Sequence, residues 1–301
     1  MKGPYMIKRI VEVSQAGTFL SVKLGQLVVR RDGQAVGQVP CEDIGVLLVD
    51  HTGVTYTHSV LTTLLEHGAA VVICNGQHHP AGMLMPMEGN SVQTERFRQQ
   101  LLVKEPVKKR LWQQIIQAKI RHQARIVSDD EQTSGYLRGL AKRVRSGDPD
   151  NLEAQASRRF WGAYLQGLEF RRKRDGVWPN AFLNYGYMVM RAAVARALCS
   201  AGLLPAVGIH HCNKYNAFCL ADDVVEPFRG FVEAKVRAMC RDRVPEETLS
   251  QSVKAQLLET LYETVEIGGY SGPLMVGLHR TAASLYRCFT GESKHLELPE
   301  L

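Results

Sequence analysis

The hydrophobic period of this chain changes once, near residue 90, and that change limits the fold more than any other feature of the sequence. Before it, apolar residues alternate. Leu20, Val22 and Leu24 are separated by polar or small neighbours, the period of a strand with one buried face. Asp32-Gly33 stands between VVRR and QAVGQV, a hairpin signal, because the central residues of a type I′ turn need positive φ. IGVLLVD (Ile44 to Asp50) and AAVVICN read as buried strands, with a short helix between them, capped by Thr57 and stopped by Gly68. From Gly76 to Asn90 the chain reads GQHHPAGMLMPMEGN, a proline- and glycine-punctuated linker in which His78 and His79 are turn residues. After Val92 apolar positions fall three or four apart, as at Leu111, Ile115, Ala118 and Ala124, with Lys and Arg between them. Pro106 breaks this stretch, and later helices are expected near 151–172, 179–201, 222–240, 246–265 and 275–289. The expected fold class is α+β. A small N-terminal β-rich domain with one short helix (1–85) is joined by a linker (86–95) to a larger all-α domain (96–301).

Charge follows the same division. The net charge is +7, and residues 91–180 alone hold 19 Lys and Arg against 10 Asp and Glu. A basic segment of this kind suits a polyanion, since each neutralised phosphate releases condensed counterions. No run of eighteen apolar residues occurs, so no membrane span is expected. Seven scattered cysteines without a CxxC pair read as free thiols in a reducing compartment, and no export signal is visible, so the expected location is cytoplasmic.

Three places in the second part carry metal-binding groups. Glu153 begins an amphipathic helix, where Asp150 three residues earlier also allows a capping box in which the glutamate only caps the backbone. The pair His210-His211 leaves the small-residue loop PAVGIHH, and a lone histidine there is as readily structural. LADDVVEPFR puts Glu226 three and four residues after Asp223 and Asp222, on one helix face, or builds only a solvated acidic first turn. Nitrogen and carboxylate oxygen together suit Mg²⁺ or Mn²⁺ and phosphoryl transfer. Structural zinc is disfavoured, because the thiols and imidazoles of GIHHCNKYNAFC lack paired spacing. No GxxxxGK[ST], GxSxG, HExxH or GxGxxG motif is present.

Taken together, NLEAQA around Glu153, the stretch NAFLNYGYMVMRAAVARAL, PAVGIHH ending in His211, and LADDVVEPFR resemble the CRISPR-associated spacer-acquisition integrases, the first of the numbered Cas proteins, and in particular their type II branch. Ala154 stands where many relatives have glycine, a departure that does not touch a ligand. The resemblance implies Glu153, His211 and Glu226 as catalytic residues and as ligands of Mg²⁺ or Mn²⁺, with Asp223 as a secondary acidic position. It implies a homodimer through the β-rich domain, two dimers bridged by a small second Cas protein into a heterohexamer, and other type II Cas proteins as further partners. The implied reaction inserts short duplexes of double-stranded DNA into a repeat array by 3′-OH transesterification, with associated endonuclease activity. Basic residues from Lys104 onward, including Arg171, Arg172, Lys173 and Arg174, would follow DNA phosphates, which position the protein without specifying sequence. Tyr185 and Tyr187 reach substrate or belong to the core. The alternative from another class is a non-catalytic DNA-binding scaffold with a structural acidic cluster.

Overall fold

The computed structural model describes residues 8–76, 80–166, 170–173, 176–242 and 248–300. His78, His79 and Arg174 lie outside them. The chain divides into two compact units, with Gln93 the last residue of the first and Thr94 the first of the second.

The first unit holds two sheets around one core. Strands β1 (Arg9–Val13), β5 (Ile44–Val49), β7 (Ala70–Cys74) and β8 (Pro80–Leu84) lie side by side in that order, the first three parallel and β8 antiparallel to β7. The second sheet runs β4 (Gln34–Pro40), β3 (Gln26–Arg31), β2 (Thr18–Lys23), β6 (Thr55–Tyr56). All six residues of β5 are buried, as a continuous apolar run requires when both faces are covered. Asp32 and Gly33 both take positive φ (50° and 79°), so the β3–β4 hairpin turns where the sequence signals it. Helix α1 (His58–Glu66) contributes Val60 and Leu64 to a core with Leu20, Leu27, Ile44 and Leu47. Thr57 is its N-cap residue, although its hydroxyl bonds Ser59 rather than a backbone N–H. Part of the expected linker is in fact a strand. β8 uses Pro80 as its first residue at the sheet edge, where a missing N–H costs no ladder bond.

The second unit contains α2 (Gln93–Leu101), α3 (Glu105–Ile126), α4 (Glu131–Arg143), α5 (Leu152–Ala163), α6 (Asn180–Ser200), α7 (Cys219–Val225), α8 (Arg229–Asp242), α9 (Gln251–Glu259) and α10 (Leu274–Thr290). It is not all helical. β9 (Thr264–Ile267), β10 (Tyr270–Pro273) and β11 (Pro299–Glu300) form a small antiparallel sheet, with Gly268 and Gly269 supplying the two positive-φ positions of its hairpin. The stretch breaks where expected, between α2 and α3, and Pro106 stands in the first turn of α3, where its absent N–H has no intrahelical acceptor to miss. Leu111, Ile115, Ala118 and Ala124 are all buried on α3, which packs on α4, α5 and α8. Among the described residues no helix is long and apolar enough to cross a membrane.

One buried imidazole ties the C-terminal strand to the centre of this unit. His122 on α3 lies 2.7 Å from the Pro227 carbonyl through Nδ1 and 3.0 Å from the Pro299 carbonyl through Nε2. Burial pushes its pKa down to about 4, although both carbonyls pull the other way. As pH falls below the ordinary value of 6.5 the unfolded chain binds a proton that the folded protein refuses until about 4. The stability this residue contributes is therefore whole above pH 6.5 and is lost as pH falls through about 4, a change of about 3 kcal/mol. Urea unfolding at pH 7 and pH 4 is expected to show that the native protein loses about 3 kcal/mol more than His122→Gln over this interval. Equal losses would assign the acid sensitivity to another group.

Candidate functional site

Glu153 owes its freedom to its neighbours. Asp148, in the left-handed region at φ 49°, accepts the N–H groups of Leu152 and Glu153, each at 2.9 Å. Asn151 is the N-cap of α5 and accepts from the Ala154 N–H, while Asp150 turns away to pair with Arg145. The first-turn donors are thus served without the Glu153 carboxylate, and the capping-box alternative falls away. That carboxylate instead accepts from the Lys119 ammonium on α3, Oε1 to Nζ 2.5 Å.

Glu226 reaches the same ammonium from a third element. Pro227 cannot continue α7 as an α-helix with full hydrogen bonding, and Glu226–Phe228 form a single 3-10 turn before α8 begins. The turn aims the buried Glu226 side chain at α3, with Oε2 2.6 Å from Lys119 Nζ and Oε1 2.7 Å from Arg229 Nη1. Oε2 is buried and lies against the Lys119 ammonium, which is the charge it faces. Burial would raise the Glu226 pKa, but Arg229 and Lys119 together outweigh it and hold the group at about 2. Burial would likewise lower Lys119, and the two glutamates overcome it, so its pKa is raised. Two carboxylates and two cations leave the cluster neutral.

His211 is set by Asp223. This fully buried carboxylate on α7 accepts from the backbone of Ile209 (2.5 Å), His210 (3.0 Å) and His211 (3.1 Å), and lies 2.7 Å from His211 Nδ1. The bond to Asp223 raises the His211 pKa against partial burial. With Nδ1 committed, Nε2 is the nitrogen left for another partner. The ring of His210 lies flat on Trp112 of α3, centroids 4.1 Å apart and planes 3° from parallel, and Trp112 meets His211 edge-on at 5.7 Å. Gly208 makes the close turn possible: a Cβ there would stand 2.2 Å from the His211 carbonyl oxygen and 2.8 Å from Asp223 Oδ2. Asp222 faces elsewhere, paired with Arg191.

The fold therefore brings Glu153 and Glu226 onto one cation, sets His211 where Glu226 acts on it through space, and spends Asp223 on the histidine loop. As placed, no three carboxylate, imidazole or thiol groups among the described residues stand together as an ion-binding group. Lys119 and Trp112 were not read from the sequence. Lys119 had a signal, being a charge four residues after Ile115 on the apolar stripe of α3. Of the basic run, Arg171 and Lys173 are exposed, while Arg172 is turned inward to the side-chain oxygens of Asn180 (3.0 Å) and Asn184 (2.7 Å). Tyr185 and Tyr187 are core residues, and the Tyr187 hydroxyl bonds Glu233 at 2.7 Å.

Known proteins share this arrangement of chain. The CRISPR-associated endonuclease Cas1 of Neisseria meningitidis serogroup C (strain 8013) is 36% identical over 290 residues, covering 95% of this chain and 94% of its own. The CRISPR-associated endonuclease Cas1 2 of Pyrobaculum aerophilum is 26% identical over 290 residues, covering 91% of this chain and 97% of that one. Among solved structures, a casposase bound to integration product superposes with a TM-score of 0.80 at 17% identity, over 96% of this chain and 92% of that one. A chain of a Cas6-RT-Cas1–Cas2 complex gives 0.79 at 19% identity, over 99% of this chain and 37% of the larger one. These structures share the fold, and the sequence pattern described as CRISPR associated protein Cas1 matches residues 11–260. With that span and the Neisseria relative both in hand, the chain belongs to the Cas1 family.

Proposed function

We propose that this protein is a divalent-cation-dependent DNA integrase of CRISPR adaptation, of the type II branch, with associated endonuclease activity. The observation that carries the reading is the convergence of Glu153 and Glu226, 73 residues apart in sequence, on one positive charge, with His211 within electrostatic reach of Glu226. The buried Oε2 of Glu226, held by no neutral donor, and the hard oxygen donors fit Mg²⁺ or Mn²⁺, and imidazole makes manganese acceptable. Glu153, Glu226 and His211 would hold that ion. When bound, it supplies charge stabilisation at a phosphate oxygen. The chain's own contribution is to fix those donors before substrate arrives. Asp223 orients His211, Arg229 keeps Glu226 ionised, and exposed Arg171 and Lys173 offer charge to DNA phosphates.

The reaction is transesterification. A 3′-hydroxyl of a short duplex attacks a phosphodiester at the repeat boundary, one phosphodiester replaces another, and the displaced strand leaves with a new 3′-hydroxyl. No nucleotide triphosphate is consumed. The partners in this reading are double-stranded DNA, a second copy of the chain through the β-rich unit, a small second Cas protein bridging two dimers, and other type II Cas proteins, in the cytoplasm. The similarity to a chain of a Cas1–Cas2 complex supports the bridging partner, and the casposase supports integration.

The scaffold reading has one specific observation in its favour: Lys119 and Arg229 neutralise both glutamates without any ion. A joining assay decides. With a 3′-OH duplex and a supercoiled repeat plasmid, strand joining is expected in Mn²⁺ or Mg²⁺ and absent in EDTA. Joining that survives EDTA overturns the proposed site, absence of both joining and nicking in either ion favours the scaffold, and nicking alone, with the small partner present, leaves a nuclease. In the same assay Asp223→Asn is expected to lose about 10–100-fold in rate, the usual cost of disturbing a ligand's orienting partner. An unchanged rate would remove Asp223 from that role.

A further inference from the structure

Lys119 is an unusual choice for its position. It projects from the apolar stripe of α3, between Ile115, Ile116, His122 and Gln123, all buried, and its own side chain is only 8% exposed. An ammonium taken out of water costs several kcal/mol unless it is paired. This one is paired twice, with Glu153 Oε1 and Glu226 Oε2. Arg229 already serves the other oxygen of Glu226. Among the described residues Glu153 makes an ion pair with Lys119 alone, so without Lys119 it and Glu226 would share the single charge of Arg229. Lysine brings a compact charge on a flexible stem, which can retract, whereas an arginine fork locks into two oxygens.

We infer that Lys119 is the resident counter-ion of the site: it holds Glu153 and Glu226 together when no divalent ion is bound, and an ion binds by displacing its ammonium from between them. The inference rests on the metal-dependent reading above. Its physical basis is exclusion, because two cations addressing the same two oxygens repel each other in a buried setting where screening by water is weak. The protein thereby avoids an unbalanced buried carboxylate at Glu226, with half-buried Glu153 beside the same ammonium, in the ion-free state, at the expense of weaker ion binding. Lys119 is in this sense a positioning residue whose removal should improve one property of the site while harming another.

The test uses the full chain and Mn²⁺ alone as probe, with free Mn²⁺ followed by electron paramagnetic resonance and unfolding followed by heating with and without Mn²⁺. Lys119→Met is expected to bind Mn²⁺ at least about tenfold more tightly than the native protein. It should also melt lower than native in EDTA and gain more on adding Mn²⁺. Lys119→Gln is the second variant, shorter and polar, with the same expectation, and Lys119→Arg should bind no more tightly than native. Folding of the Met and Gln variants only in Mn²⁺ supports the inference, whereas failure of both to fold even in Mn²⁺ overturns it, since the ion then does not replace the ammonium. Equal or weaker Mn²⁺ binding by the folded variants also overturns it. Native binding that disappears in Glu226→Gln, combined with no gain in Lys119→Met, sinks this inference and leaves the metal site standing; no binding to any of these proteins sinks the metal site itself.

Discussion

Glu226→Gln is expected to abolish strand joining, by at least about 1000-fold, or about 4 kcal/mol of transition-state stabilisation. Glutamine keeps the shape of the side chain and removes its charge. Lys119 and Arg229 are then left with Glu153 alone, and the site becomes net positive where the proposed divalent ion would enter. Breaking a buried pair in this way also costs about 3–5 kcal/mol of stability, at the low end here because the amide retains an acceptor oxygen. Glu153→Gln should damage joining as severely but stability less, since its carboxylate is 31% exposed and screened by water. The pH dependence of stability carries the signature of Glu226. Glu226 titrates near 2 when folded against 4.5 ordinarily, so its stabilisation is full above pH 4.5 and is lost as pH falls through about 2. Urea unfolding of the native protein and Glu226→Gln should therefore converge in acid. Joining by Glu226→Gln within tenfold of native would remove this residue from the site.

The second large effect is expected at a residue with no side chain. Gly208→Ala forces a Cβ to within 2.2 Å of the His211 carbonyl oxygen, a backbone atom that cannot swing aside. Either the loop lifts off Asp223, leaving a buried carboxylate short of its N–H donors, or α7 shifts with it. Overpacking of this kind costs about 1–3 kcal/mol, and displacement of His211 should lower joining by at least about 100-fold. Gly162→Ala is the matched control. Nothing lies within 4 Å of its added Cβ, it sits inside α5, and the substitution should be neutral or stabilise by up to about 1 kcal/mol. Thermal melts and joining rates of the two variants check both statements, and similar behaviour would refute the steric argument.

Local signals in the sequence carried far where their cause is local. Asp32-Gly33 predicts its hairpin because positive φ is a property of two residues, and the apolar run Ile44 to Val49 reads as a buried strand because both its faces are covered. The parallel pairing of β1, β5 and β7 is not legible in that way, since it is set by contacts between segments distant in sequence. The small sheet of the second unit was missed although TVEIGGYSGP contains its Gly-Gly turn, because four-residue strands are too short to establish a period against flanking helices. The site shows the same division. His211 and Glu226 stand out as donor types in a short stretch, but Glu153 looks like a cap until Asp148 and Asn151 are seen to do that work. Lys119 is marked in the sequence only by its place on the apolar stripe of α3, four residues after Ile115, and that mark becomes chemistry only once the burial of its ammonium is seen.

The placement of His122 also makes the molecule easy to watch. Its two ring nitrogens report on segments 72 residues apart, one on the carbonyl of Pro227, next to Glu226, and the other on the carbonyl of Pro299 in the terminal strand. With imidazole nitrogens isotopically labelled, a single resonance pair would register any rearrangement of the turn that carries Glu226 separately from any loosening of β11. A histidine that performs no chemistry thus becomes a two-channel gauge of whether a ligand entering the site moves the turn, the terminal strand, or both.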